Sequence, residues 1–510
     1  MAFEPKSAEL EIKYTKQQTG EGVPVVMTLS ASEGAISRVV SVSANPYVEN
    51  VTPSAGSVQI DGKLCVKVLV ENVEGGFSCL EGTNGFTAHI MNSEITQNSE
   101  MFATAQLLGV NSVQASEQAV TFTCNVSVSP ITLATEKVKY IEELPIAQVK
   151  KDLINYTTVV AGSAQDFELN LELDLPTSVS KILSVESKVA LSKAEAGNDV
   201  VALKGEAYTN LIYLTNDEQP KLKSQKYTQE FNHELLATNI TTQDIVSATA
   251  QSSNTQYELQ GELNSAKGTI LLKNIVKTNI FVRQTKTCEA VVDAFCPHYL
   301  LNNEYSSFVS QTLGASELTF EKIDGSIVLG EDSPRIDKVL AVCSGNVVVK
   351  STEVVDSQLN VTGVLNCNVI YVLDDENATT QSVFAEVPFN IAIKKDNLSE
   401  NNSYHINIVS KDIEARNKKS KEIDILAELA IEMVVLENVT EASLQNVTLG
   451  EKRTVNTSAM GLYIVPEAKD LWEVSKALVV SGDLIMQQNP DLQFPFTTPQ
   501  RIIVYREKQL

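Results

Sequence analysis

The chain is poor in the residues that most chemistry requires. It has four histidines and one tryptophan among 510 residues, and it carries no P-loop, HExxH or GxSxG motif, so nucleotide-loop, zincin and serine-hydrolase chemistries lack their sequence carriers. The seven cysteines (Cys65, Cys79, Cys124, Cys288, Cys296, Cys343, Cys367) include no CxxC pair. They read as reduced thiols at mostly apolar strand positions rather than as zinc ligands or a disulfide framework. No apolar run approaches the roughly 18 residues a membrane-spanning helix needs. Lys and Arg total 40 against 64 Asp and Glu, a formal net charge of −24. With no basic cluster, nucleic acid is disfavoured as a partner and basic protein surfaces are favoured. The first twenty residues carry charges throughout and no apolar h-region, which predicts a protein kept in the cytosol.

What is present is repetition. The phrase VQIDGKLCVKVLV from Val58 returns as VALKGEAYTNLIY from Val201 and as LNVTGVLNCNVIY from Leu359. In each copy an apolar residue stands four before a glycine (Gly62, Gly205, Gly363), and apolar residues recur six and eight after it. Even spacing puts these side chains on one face of a strand, and the glycine inside the run suggests a bulge. Upstream, Arg38, Lys181 and Lys338 each open a basic-then-apolar phrase, and downstream Phe86, Phe231 and Phe389 each head a further strand-like run. The three phenylalanines are expected to anchor the core.

These markers divide the chain into repeats at 18–135, 160–285 and 315–440, followed by a different unit at 458–510. Alternating Val, Ile and Thr separated by Asn, Asp, Gly and Ser predict a mainly β protein of three antiparallel sandwich-like modules. Repeat offsets of domain size, 143 and 158 residues, are too long for a solenoid period and suggest separate beads in a row. Between the beads, Ala134–Val159 and Arg283–Ser316 break the strand pattern. The first is expected to hold a short helix interrupted at Pro145, and the second an extended or turn segment at Cys296-Pro297.

The last unit reads differently. A short strand, Tyr463 to Val465, precedes helical spacing over Leu471, Trp472, Val474 and Ser475; then come Asn489-Pro490-Asp491-Leu492 and a terminal strand with Ile502 to Val504. This βααβ outline resembles the LysM domain in the order and spacing of its motifs. It departs in the first loop, where the usual Gly-Asp-Thr is Ala468-Lys469-Asp470, and before the last strand, where a glycine gives way to Thr498-Pro499. Loss of the glycine and of side chains that meet sugar hydroxyls weakens the expectation of glycan binding. A protein-docking face is expected instead, formed by Tyr463, Leu471, Trp472, Val474 and Asn489, with Trp472 as its anchor or as a core residue.

Together the three modules, the connector VVDAFCPHY and the LysM-like tail resemble the SPOCS-domain spore coat morphogenetic proteins of Firmicutes, of the SipL type. The resemblance implies a non-enzymatic assembly factor in the mother-cell cytoplasm at the forespore surface. It further implies that the LysM-like domain binds a coat basement-layer ATPase of the SpoIVA kind, and that other coat proteins are partners. No cofactor or metal is expected: His89 and His233 fall in different repeat columns, and Cys288, Cys296 and His298 match no standard zinc spacing. Two rivals stand beside the adaptor: a peptidoglycan-binding cell-wall protein, and a subunit that self-assembles into a coat or appendage layer.

Overall fold

The computed structural model describes residues 3–18, 20–31, 33–176, 179–218, 220–260, 268–375, 379–394, 398–453 and 460–505. The first module comprises β1 (Lys6–Gln17), β2 (Glu21–Ser30), β3 (Ile36–Ser54), β4 (Ser57–Asn72), β5 (Phe77–Met91), β6 (Glu100–Ala115) and β7 (Ala119–Glu143). The second comprises β8 (Gln148–Asp174), β9 (Val179–Ala196), β10 (Val200–Thr215), β11 (Leu222–Leu236), β12 (Ile245–Gln260) and β13 (Thr269–Phe295). The third comprises β14 (Tyr299–Val328), β15 (Ile336–Val355), β16 (Gln358–Leu373), β17 (Thr380–Lys394), β18 (Ser403–Lys419) and β19 (Glu422–Lys452). Each module is a pair of antiparallel sheets. One is ordered β3-β4-β5, β9-β10-β11 or β15-β16-β17; the other is centred on β7, β13 or β19. In the first module β1 and β2 lie one after the other along β7, where β8 and β14 run unbroken in the other two. The expected mainly β, antiparallel class is what the chain forms, and alternate residues of both sheets fill each core, for example Val58, Val68 and Phe122 in the first module.

The repeat glycines and phenylalanines are cross-strand partners. Gly62 sits opposite Phe86, Gly205 opposite Phe231 and Gly363 opposite Phe389. Each ring lies over its glycine: a Cβ on Gly363 would come within 2.4 Å of Phe389 Cζ and 2.5 Å of the Val348 carbonyl oxygen. The glycine is needed for space, and the aromatic ring covers the backbone it leaves bare.

Bulges interrupt the neighbouring strand of every module at matching positions, and two of them bear on the packing. One faces the glycine, and the skipped residue is Glu49, Ser192 or Lys350. The other lies beside the basic phrase and skips Val40, Leu183 or Leu340. An extra residue re-aims a side chain to the other face of the sheet, and here the three re-aimed residues meet. Val40 and Leu183 join Leu69, Ile212 and Ile370 in one buried cluster, with Leu340 packed against it. Leu69, Ile212 and Ile370 each lie seven residues after the repeat glycine, so the cluster lies on a pseudo-threefold axis.

The modules therefore do not hang as separate beads in a row; they close into a ring. The same elements meet at each seam: β5 with β9, β11 with β15, and β17 with β3. The segments expected to break the strand pattern are strands as well. Lys137–Glu143 continues β7, and the helix anticipated around Pro145 is a tight turn from β7 to β8, with Ile146 in the left-handed region. Cys296-Pro297-His298 makes the corresponding turn from β13 to β14. Three ladders, β1/β7, β8/β13 and β14/β19, thus overrun their sandwiches and pack together through Ile12, Tyr140, Ile154, Ala290 and Phe308, then through Ile141, Val291 and Leu444. Charged residues hid this alternation because each ladder exposes one face. Arg283 is wholly buried between the modules and donates to Ser247 Oγ (2.6 Å), Thr15 Oγ1 (3.0 Å) and Gln311 Oε1 (3.2 Å).

Candidate functional site

The terminal unit folds as β20 (Met460–Val465), α1 (Leu471–Leu478), α2 (Gly482–Gln488) and β21 (Gln500–Tyr505), with the two strands antiparallel. The first helix is stopped at both ends by local chemistry. Asp470 caps it by accepting from Glu473 N (2.9 Å), while Glu473 reaches back past the cap to accept from Lys469 N (2.7 Å), a variant of the capping box shifted by one residue. At its other end Val479 turns into the left-handed region. The two helices and the sheet enclose a small core of Val465, Val474, Ile485, Ile502 and Val504.

The five residues expected to form a docking face take different places. Val474 is 1% exposed and belongs to the core, with Tyr463 and Leu471 packed against it. Asn489 holds the fold together: its amide donates to Ile485 O (2.9 Å) and Ile503 O (2.7 Å), and its oxygen accepts from Ile503 N (2.8 Å). It behaves as a strand residue supplied by a side chain, tying the end of α2 to β21.

Trp472 faces the ring. Its indole N–H donates to Asp293 Oδ2 (2.9 Å), and its ring lies 5.2 Å from that of Phe295, both at the end of β13. Lys476, one turn further along α1, ion-pairs with the same carboxylate at 2.6 Å, and Lys150 at the start of β8 pairs with Asp470 at 2.9 Å. Burial alone would push the Asp293 carboxyl up, but the hydrogen bonds from Lys476 and Trp472 outweigh it and hold the group below its ordinary value. The helix is thus seated on the second module's ladder by one aromatic contact and two ion pairs.

Among the described residues nothing covers the outer face of the small sheet, which is apolar along β20. Met460, Leu462 and Ile464 alternate along β20 at 52%, 60% and 68% exposure, and Tyr505 on β21 stands opposite Met460. These residues were absent from the expected face. The signal that could have found them is the unbroken apolar run Leu462-Tyr463-Ile464-Val465, since an edge strand with one buried face should alternate with polar residues.

His89 and His298 are exposed, whereas His233 and the buried cysteines are packing groups. His233 stacks on Phe167 at 4.0 Å between ring centres, and burial lowers its pKa. Burial pushes the Cys79, Cys124 and Cys367 thiols up to about 12, away from reactivity. Among the described residues no three His, Cys, Asp or Glu side chains gather as a metal site, and no helix is long and apolar enough to cross a membrane.

The chain matches no curated protein and no solved structure. Residues 335–418 match the family model described as SipL, SPOCS domain. The match runs from the start of β15 into β18, and so contains Gly363, Phe389 and the bulges at Leu340 and Lys350. The same columns recur at Gly62 and Phe86 and at Gly205 and Phe231. The chain therefore carries a SPOCS domain in its third module, which points to a role in sporulation.

Proposed function

We propose that this protein is a non-enzymatic adaptor of spore coat assembly, acting in the mother-cell cytoplasm at the forespore surface. Its LysM-like unit docks a basement-layer ATPase of the SpoIVA kind, and its ring holds other coat proteins. The observation that carries this reading is the SPOCS match at 335–418, set in a ring whose other modules repeat the same columns. The exposed apolar face of Met460, Leu462, Ile464 and Tyr505 supports a protein contact, since a contiguous uncovered apolar patch marks an interaction surface. The first loop supports protein over glycan: Asp470 is engaged by Glu473 N and Lys150, and Lys469 N by Glu473.

The test is co-sedimentation of the purified chain with the purified ATPase. Leu462→Asp and Ile464→Asp, both at exposed positions, should each weaken association at least about tenfold, a loss of about 1.4 kcal/mol. Undiminished association after deletion of 458–510 would remove the terminal unit from the mechanism. Retention on purified peptidoglycan that the same substitutions abolish would favour the cell-wall rival, and ordered fibres of the protein alone would favour the self-assembling one.

A further inference from the structure

The three seams of the ring are built from matching columns, yet the column of Asn279 bridges only two of them, while at the third Arg38 of β3 donates to Thr380 O of β17 (2.7 Å). At the first seam Gln251 of the second module donates to Pro46 O (2.7 Å) and Ala105 O (2.9 Å), and Asn279 donates to Ala103 O (3.1 Å). At the second seam Glu432 of the third module, in the column of Asn279, accepts from Leu191 N (3.2 Å). Side chains of one module thereby satisfy the bare backbone edges of the module before it.

At the third seam those columns are filled by Gln106 and Ser129 of the first module. Gln106 precedes the β6 bulge as Gln251 precedes the β12 bulge, and Ser129 pairs with Thr104 as Asn279 pairs with Thr249. Among the described residues neither side chain bonds to the third module. A cleft of about 900 Å³ lies there instead, lined by β3 and β6 on one wall, by β15 and β18 on another, and at its end by second-module residues that include Lys188, Gln251 and Lys277. By register, Ile406, Ile408 and Val349 of the third module stand where Ala103, Ala105 and Leu191 stand in the bridged seams, and all three line the cleft. Their backbones present two carbonyls and one N–H at the corner of a sandwich.

We propose that this third seam is a binding site for an extended polypeptide segment of about seven residues, the length of the β15 edge from Asn346 to Thr352. The bridged seams show what these edges accept, namely amide donors and a carbonyl-type acceptor, and a peptide main chain supplies both in alternation. The lining carries Lys188, Lys277 and Lys350 against Glu49 and Asp166; Lys277 pairs with Asp166, Glu49 with Lys63 outside the cleft, and Lys188 donates to Gly345 O. Recognition by the edges rests on backbone hydrogen bonds, and the small cationic surplus should make binding weaken modestly with salt. An oligosaccharide is the less favoured occupant because stacking platforms are scarce: Phe102 is engaged edge-on with Phe281 at 4.9 Å.

The test uses the full chain and a displayed library of random ten-residue peptides. Selected peptides should bind with micromolar affinity, protect amides of 346–352 and 404–409 from hydrogen exchange, and lose at least tenfold in affinity on Gln106→Trp. Ser351→Arg, on the opposite wall, is the second filling variant, and both variants must keep the parent's melting temperature. Peptides that bind both filled variants as well as the parent would overturn the proposal. So would a selection that enriches nothing over those variants, or glycan-array binding without peptide binding. None of these outcomes depends on the terminal unit or on the sporulation reading.

Discussion

The indole N–H of Trp472 donates to Asp293 Oδ2 across 2.9 Å, joining the terminal unit to the second module. Trp472 is the only tryptophan in the chain, so its fluorescence reports this contact without interference. Asp293→Ala removes the acceptor for both Trp472 and Lys476. A hydrogen bond to a charged group is worth about 1.5–3 kcal/mol, so release of the helix should red-shift the emission and raise quenching by acrylamide. An unchanged spectrum would mean that the Phe295 contact and the Lys150–Asp470 pair hold the helix without Asp293.

The same contact has a pH dependence of known sign. The seated Asp293 carboxyl lies below its ordinary value, so its contribution is present above that ordinary value and is lost as pH falls through the lowered one. The red shift should therefore appear in acid in the parent chain. Lys476→Met, which removes one of the groups that lower the carboxyl, should move the transition to higher pH.

Glu432 titrates in the opposite sense. It is 2% exposed, with one oxygen bonded to Leu191 N and Asn407 Nδ2 and the other unpartnered, and burial pushes its pKa up to about 7. Between an ordinary value of 4.5 and about 7 the folded chain holds a proton that the unfolded chain has released. Stability is full below this window and falls as pH rises through it, by about 3 kcal/mol in total. Glu432→Gln should flatten that slope in urea melts at pH 5 and pH 8. A slope unchanged by the substitution would assign it to another group.

Gly363→Ala should destabilise the third module by about 1–3 kcal/mol, because the new methyl meets a backbone carbonyl as well as the Phe389 ring. Gly205→Ala should behave alike, since its Cβ would lie 2.4 Å from Ala190 O. Trimming the ring with Phe389→Leu in the Gly363→Ala background should restore only part of the loss, because the Val348 carbonyl remains. Urea denaturation of the three variants beside the parent measures this, and full recovery would mean that the ring alone requires the glycine.

Ile370→Asp places a charge in the axial cluster, where Ile370 is wholly buried. An uncompensated buried charge costs about 3–5 kcal/mol, and the sandwiches have cores of their own. The radius measured by small-angle scattering should increase while far-ultraviolet dichroism keeps its strand signal. Loss of both together would show that the modules fold only as a ring.

Much of the architecture was legible because it depends on periodicity within one strand. The glycine and phenylalanine columns announced a fixed register, and they are cross-strand partners. The βααβ order of the terminal unit could be read from helical spacing between two short apolar runs. Ring closure was not legible, because it depends on residues that look ordinary in a list. Val39-Val40, Ile182-Leu183 and Val339-Leu340 are each two consecutive apolar residues; only a bulge turns the second outward, and that doublet was the available clue. The overrunning ladders were hidden for the opposite reason. Lys137, Lys139 and Glu142 gave β7 the look of a helix or linker, although Val138 and Tyr140 keep a period of two. Asn489 shows the limit of motif reading, since nothing in Asn-Pro-Asp-Leu says that the amide completes a strand ladder.

The matching seams carry a consequence for stoichiometry. A homotrimer with this geometry would repeat every surface three times, so that any groove, any latch and any terminal unit would come in threes. Joining the copies in one polypeptide frees each to drift on its own, and here one junction has Ser129 where its sisters have the bridging Asn279 and Glu432. The assembly thus offers one cleft and one terminal unit per ring. On the adaptor reading proposed above, a partner would meet it as a monovalent or divalent piece rather than as a threefold node.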